Sequence, residues 1–186
     1  MRVIAGRARG RTLKSPTSER TRPTPDRVRE ALFSILTGVT QGARVLDLFA
    51  GTGALGLEAI SRGATHALFV EADRGAKDVL DANVALIRGA CPDAVLETWQ
   101  SSAERAIDRL AREQRCFELV FLDPPYAAGL LEPTLARLIQ GGLVNEASLV
   151  ICEHASRDEP PTPPAGWSVT RTRAYGDVSV SLVEKG

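Results

Sequence analysis

From Arg44 onward, short apolar runs rich in β-branched and aromatic residues alternate with segments whose apolar residues recur at helical spacing. Runs near 44–48, 66–70, 95–99, 117–122 and 148–153 read as strands. Segments near 54–61, 74–87, 103–113 and 130–140 read as helices. Parallel neighbours cannot be joined by a hairpin and need a helical crossover, so this alternation predicts an α/β fold with a parallel sheet and helices on both faces. The pattern breaks after Glu153. The segment Glu159-Pro160-Pro161-Thr162-Pro163-Pro164-Ala165-Gly166 excludes helix and central strand. Two strand-like runs follow, 167–174 and 178–183, on either side of Tyr175-Gly176-Asp177. They predict a C-terminal antiparallel hairpin on the parallel sheet.

Residues 1–37 read as a small basic extension and 38–186 as the main body. Arg2-Val3-Ile4-Ala5 and Arg11-Thr12-Leu13-Lys14 flank a glycine-bearing turn and predict a small hairpin. Residues 15–25 are rich in Ser, Thr, Pro and Arg and predict extended chain. Thr24-Pro25-Asp26 has the make-up of a helix start, with Thr as cap and Pro at the first helical position. Val28, Ala31, Leu32, Ile35 and Leu36 then carry an amphipathic helix to about Thr37. The formal net charge is zero, yet residues 1–29 hold nine Lys/Arg against two acids, +7, and the remainder balances them at −7. A basic, Arg-rich head on an acidic body predicts a nucleic-acid partner, with Arg20, Arg22, Arg27 and Arg29 placed to meet phosphates near the sheet rim. As an appendage the head is expected to be dispensable for folding: removing residues 1–22 should spare cofactor binding.

Composition narrows the class. With 44% hydrophobic and 25% charged residues the chain has the make-up of a globular protein. No apolar stretch reaches the length of a membrane span, and the first residues lack a signal-peptide core. Cys91, Cys116 and Cys152 are isolated, giving neither a disulfide framework nor a zinc pattern, so a reducing cytoplasm and no metal are expected. His66 and His154 stand in no constellation.

Chemistry concentrates at strand ends. Asp47-Leu48-Phe49-Ala50-Gly51-Thr52-Gly53 ends the first strand and opens a helix. Its glycines let backbone approach a ligand, and the helix turns N–H groups toward it. With Gly56 the loop formally satisfies G-x-G-x-x-G, so a nicotinamide-dependent oxidoreductase is weighed. Asp47, ahead of the glycines, instead suits an ammonium, as in S-adenosylmethionine. Asp47, Phe49, Gly51 and Gly53 are the expected cofactor contacts of this loop. Glu71, at the end of the next strand, is placed to accept from two ribose hydroxyls. Asp73 reads as a helix cap. Ser102, after the third strand, either meets an adenine edge or caps the helix behind it.

Asp123-Pro124-Pro125-Tyr126 closes the strand near 117–122. An exocyclic amine on a base is a poor nucleophile because its lone pair is delocalised into the ring. Asp123 and the Pro124 carbonyl can accept its two hydrogens and help it become tetrahedral as a methyl arrives. The prolines hold both acceptors in place beforehand, and Tyr126 offers a stacking face. This is an amino-methyltransferase constellation. Its target could be guanine, the N6 amine of adenine in DNA or RNA, or a glutamine side chain, and the basic head argues against the last.

The chain resembles the bacterial RsmD family of small-subunit ribosomal RNA methyltransferases. The likeness is carried by Met1-Arg2-Val3-Ile4-Ala5-Gly6, by Thr21-Arg22-Pro23-Thr24-Pro25-Asp26-Arg27-Val28-Arg29-Glu30-Ala31-Leu32-Phe33, by Asp47 to Gly56, by Phe69-Val70-Glu71, by Asp123 to Tyr126 and by Tyr175-Gly176. Ser102 departs from it, since relatives often place Asn or Asp there. The resemblance implies a Rossmann-like seven-stranded class I S-adenosylmethionine-dependent methyltransferase fold. It implies methylation of a guanine N2 amine (guanine 966) of 16S ribosomal RNA by a monomer acting on an assembled or assembling 30S subunit.

Overall fold

A computed structural model describes residues 1–15 and 26–186. Helix α1 spans Asp26–Ile35, followed by β1 Arg44–Asp47, α2 Ala54–Ser61, β2 His66–Glu71, α3 Arg74–Arg88, β3 Val95–Gln100 and α4 Ala103–Arg112. Then come β4 Leu119–Leu122, α5 Leu131–Gln140, β5 Leu149–Ala155, β6 Trp167–Tyr175 and β7 Val178–Lys185. One seven-stranded sheet has the order β3-β2-β1-β4-β5-β7-β6. β1 to β5 are parallel, and β7 runs antiparallel between β5 and β6. The expected α/β sheet and terminal hairpin are both present. This order is not that of the dinucleotide-binding fold, where the last strand is parallel to the rest. The oxidoreductase reading loses its support there.

The strands alternate between two cores. Val45, Phe69, Phe121 and Ile151 face a layer holding Leu32, Phe33, Leu57, Ile60, Leu80 and Val84. Leu46, Leu68, Val120 and Val150 face Ile107, Leu110, Leu135 and Leu138 on the opposite side. Burial on both faces is why these runs are nearly continuous in apolar residues. The helices bury single stripes: α4 buries Ala103, Ala106, Ile107 and Leu110, and α3 buries Ala76, Leu80, Val84 and Ile87. Asp73 caps α3, accepting the Ala76 N–H at 2.8 Å. Among the described residues no helix is long and apolar enough to cross a membrane.

The head departs from expectation. The predicted hairpin forms, but short: one antiparallel bridge, Arg2 to Thr12, flanked by the Val3 N–H on the Arg11 carbonyl and the Leu13 N–H on the Met1 carbonyl, each at 3.0 Å. Residues 1–15 also dock on α2 and α3. Val3, Ala8 and Leu13 are at most 3% exposed and share the first core. Glu58 of α2, 1% exposed, accepts the N–H groups of Ile4 and Ala5 at 2.8 and 3.0 Å and the Arg62 Nε at 2.7 Å. Ser61 accepts the Ala8 N–H through its hydroxyl and the Arg7 N–H through its carbonyl. Gly6 adopts φ +82°, and a Cβ there would stand 1.9 Å from the Ser61 carbonyl oxygen. An apolar residue every few positions in a short polar segment was the overlooked signal for docking. Thr24 and Pro25, the expected cap, lie outside the described residues, as do Arg20 and Arg22.

Candidate active site

The sheet changes direction between β1 and β4, the place where open α/β sheets bind ligands beyond the strands' carboxyl ends. Asp47 and Phe121 are direct partners, and the Leu48 N–H donates to the Phe121 carbonyl at 3.2 Å. The two motif loops leave adjacent strand ends, although 76 positions separate Asp47 from Asp123. Register brings them together.

The glycine loop is braced. Glu71, at the end of β2, accepts the Gly51 N–H at 2.8 Å and the Asp73 N–H at 2.7 Å. Its two oxygens each retain a lone pair, so it can still accept from a ligand while holding the loop. Gly51 has φ +53° with nothing near its absent Cβ, whereas a Cβ at Gly53 would meet the Leu80 side chain at 2.6 Å. Gly53 is favoured by its φ of +82°, and a side chain there would also have to displace the Leu80 methyl. Phe49 is half-buried against the second core. Ser102 caps α4 through the Arg105 N–H at 3.4 Å, so its hydroxyl already has a structural use.

Asp47 is 2% exposed and accepts the Gly56 N–H at 3.2 Å. Burial, with the nearby Glu71 carboxylate, pushes its pKa up to about 7. Asp123 lies one residue beyond β4. Burial first, then the charges of Glu153 and Asp47 and a hydrogen bond to the Glu153 carboxyl, hold it well above the ordinary carboxylate range. Pro124 is buried, and the Pro125 carbonyl accepts the Ala128 N–H at 3.0 Å, closing a 3-10 turn over Tyr126–Ala128. Tyr126 is 42% exposed and its hydroxyl donates to Glu153 Oε1 at 2.8 Å. A cavity of about 220 Å³ opens beside these residues, lined in part by Pro124, Pro125, Tyr126, Glu153 and His154. His154 is spoken for: Nε2 meets the Ser181 hydroxyl at 2.9 Å and Nδ1 the Ala155 carbonyl at 3.1 Å.

Glu153 was missed in the sequence. It was visible as an acid directly after the apolar run Leu149-Val150-Ile151-Cys152, where burying a charge is costly.

Of the four arginines expected to meet phosphate, two lie outside the described residues. Arg27 is exposed on α1. Arg29 corrects the expectation: it is 0% exposed, and Nη2 donates to the Arg2 carbonyl at 2.6 Å and to Asp26 at 2.8 Å. Helical periodicity turns it inward, beside Val28 and Leu32, where it ties α1 to the head. Sequence reasoning passed over Arg171 and Arg173 of β6. They are exposed and pair with Leu182 and Val180, which belong to the core layer under α1. Directly opposed residues share a sheet face, so these arginines stand on the same side of the sheet as α1.

Comparison with known proteins agrees with the geometry. The family model described as "Conserved hypothetical protein 95" matches residues 1–184. "Ribosomal RNA small subunit methyltransferase D" of Escherichia coli K12 is 39% identical over 185 residues, covering 100% of this chain and 90% of that protein. A solved structure titled "Putative methyltransferase yhhF from Escherichia coli" superposes with TM-score 0.85 at 38% identity, covering 100% of this chain and 97% of the other. A hypothetical protein of Thermus thermophilus superposes with TM-score 0.84 at 33% identity, covering 99% of each chain.

Proposed function

The chain belongs to the family matched above, the RsmD family, and on that premise we propose that it transfers a methyl group from S-adenosylmethionine to the exocyclic N2 amine of a guanine in small-subunit ribosomal RNA. The observation that carries this is the adjacency of Asp123-Pro124-Pro125-Tyr126 to the 47–53 loop at the direction change of a class I methyltransferase sheet. When bound, S-adenosylmethionine supplies an electrophilic methyl on a sulfonium. The rim suits such a cation, because burial and neighbouring acids raise two of its carboxyls, Glu71 acting on Asp47, and Glu153 and Asp47 on Asp123.

Asp47, Phe49, Gly51 and Gly53 hold the amino-acid end, Glu71 accepts from ribose hydroxyls, and Ser102 marks the adenine side. Asp123 and the Pro124 carbonyl accept the two amine hydrogens and draw the nitrogen toward a tetrahedral shape. Tyr126 stacks on the base. Residues 1–37 form the RNA-binding extension on the catalytic body 38–186. Arg20, Arg22 and Arg27 contact phosphates, joined by Arg171 and Arg173 across the same face. The substrate is an assembled or assembling 30S particle, and the enzyme acts as a monomer on guanine 966.

The test is transfer of labelled methyl from S-adenosylmethionine to small-subunit ribosomal RNA or 30S particles, followed by nucleoside digestion. Label in N2-methylguanosine supports the reading. Label in N6-methyladenosine replaces it with the adenine alternative, and no label in any nucleoside removes RNA as the substrate.

A further inference from the structure

Glu153 joins both halves of the catalytic corner. It lies in β5, every residue of which is buried, and is itself 5% exposed. β4 and β5 are parallel neighbours, with Leu122 opposite Cys152. One step further along each strand stand Asp123 and Glu153. The register therefore places a second carboxyl beside the first, close enough for its charge and a shared hydrogen bond to raise Asp123. The Tyr126 hydroxyl donates to Oε1 of the same Glu153 at 2.8 Å.

Two carboxyls can share a hydrogen bond only if one of them carries a proton. The phenol of Tyr126 donates to Glu153, which stabilises Glu153 as the anion. The shared proton is thereby biased toward Asp123, the group required as an acceptor. The groups facing Asp123 are Glu153 from β5, Asp47 from β1 and, through Glu153, Tyr126 from the 3-10 turn. Both acids oppose its ionisation.

We propose that Glu153 is a positioning residue that aims Asp123 and Tyr126 at the acceptor amine and fixes the pH at which Asp123 can act. The proposal rests on the methyltransferase reading. In the transfer, the amine nitrogen gains the N–CH3 bond as the S–CH3 bond breaks, and one amine proton must leave. The ionised Asp123 accepts that hydrogen from the start, and the proton settles in the Asp123–Glu153 pair before passing to water. Atoms and charge balance with no further reactant.

Glu153→Gln is the informative change. It keeps an oxygen for the Tyr126 hydroxyl, removes the anion beside Asp123 and adds an N–H that Asp123 can accept. Single-turnover methyl transfer to small-subunit ribosomal RNA should be followed from pH 5 to 9. We expect the acid limb of the Glu153→Gln profile to lie about one pH unit or more below that of the wild type. Glu153→Ala, which also removes the acceptor of the Tyr126 hydroxyl, should lose roughly tenfold or more in rate with cofactor affinity retained. A second measurement needs no activity: the infrared C=O stretch of the protonated carboxyl, titrated in the cofactor-free protein. In the wild type this band should persist above the ordinary carboxylate range, and in Glu153→Gln the Asp123 contribution should titrate at lower pH. Identical acid limbs, or identical infrared titrations, would overturn the proposal. A wild type that methylates no RNA, yet shows the infrared shift on substitution, would instead count against the RNA reading while the Asp123–Glu153 pair stands.

Discussion

Two carboxylates, the buried Glu58 under the head and the half-buried Asp123 at the rim, show how differently the two regions are built. Glu58 is surrounded by donors: two backbone N–H groups and the Arg62 guanidinium. Asp123 is surrounded by acids, Glu153 and Asp47. A carboxylate satisfied by donors holds structure together and has nothing left to do. One placed among other carboxyls is costly to ionise, and that cost is relieved by a ligand that brings positive charge or N–H donors. The head is a fastening and the rim a site, although the sequence advertises the head's charge more loudly. The two meet at Asn83, fully buried, which bonds both backbone groups of Lys14 and donates to the Thr52 carbonyl in the glycine loop at 2.9 Å.

The largest effect should come from breaking the fastening. Removing residues 1–15 exposes the pockets of Val3 and Leu13, a loss of roughly 3–6 kcal/mol, and strips Glu58 of two donors. That is a large share of a typical domain's stability of about 5–15 kcal/mol. Chemical denaturation should show the truncated protein unfolded or marginal. A truncated protein as stable as the full chain would make the head the separable appendage that its charge first implied.

Next comes the rim. Asp123→Ala should lower the single-turnover methyl-transfer rate by about 10²–10³-fold and leave cofactor affinity within a few-fold, because the lost acceptor acts on the amine. Near wild-type single-turnover rates would remove Asp123 from the chemistry.

Asp47 supplies a test of sign. Its pKa in the folded protein, about 7, lies above the ordinary value. Folding therefore favours its protonated form. The associated stability is full below the unfolded pKa and is lost as pH rises through 7. Asp47→Asn keeps an acceptor for Gly56 and cannot ionise. Above pH 7 and without cofactor it should be the more stable protein by on the order of 2–3 kcal/mol, while binding S-adenosylmethionine more weakly. If denaturation gives the two proteins the same pH dependence, Asp47 is ionised at no cost and the contrast with Glu58 fails.

The smallest effect separates two arginines only two positions apart. Arg27→Met should lower the slope of log affinity for RNA against log salt by roughly 0.7–0.9 and leave stability unchanged. Arg29→Met should leave that slope alone and change stability instead. Equal slopes for wild type and Arg27→Met would take α1 off the RNA surface.

Sequence alone determined the strands, the helices and their order, because each is a local matter: α2 falls on the expected residues, and most other boundaries within two. It also located the 47–53 loop, Glu71 and Asp123-Pro124-Pro125-Tyr126, whose chemistry is written in consecutive residues. Direction was harder to read. Arg29 and Arg27 look alike in composition, and only the packing of α1 sends one into the core. Glu153, Arg171 and Arg173 acquire meaning from strand register, which joins residues far apart in the chain to their neighbours in the site. Register and docking depend on which surfaces bury one another, a property of the whole fold. For that reason the Asp-Pro-Pro-Tyr tetrapeptide could be read directly, while the acid beside it and the true anchorage of the head emerged only from the tertiary structure.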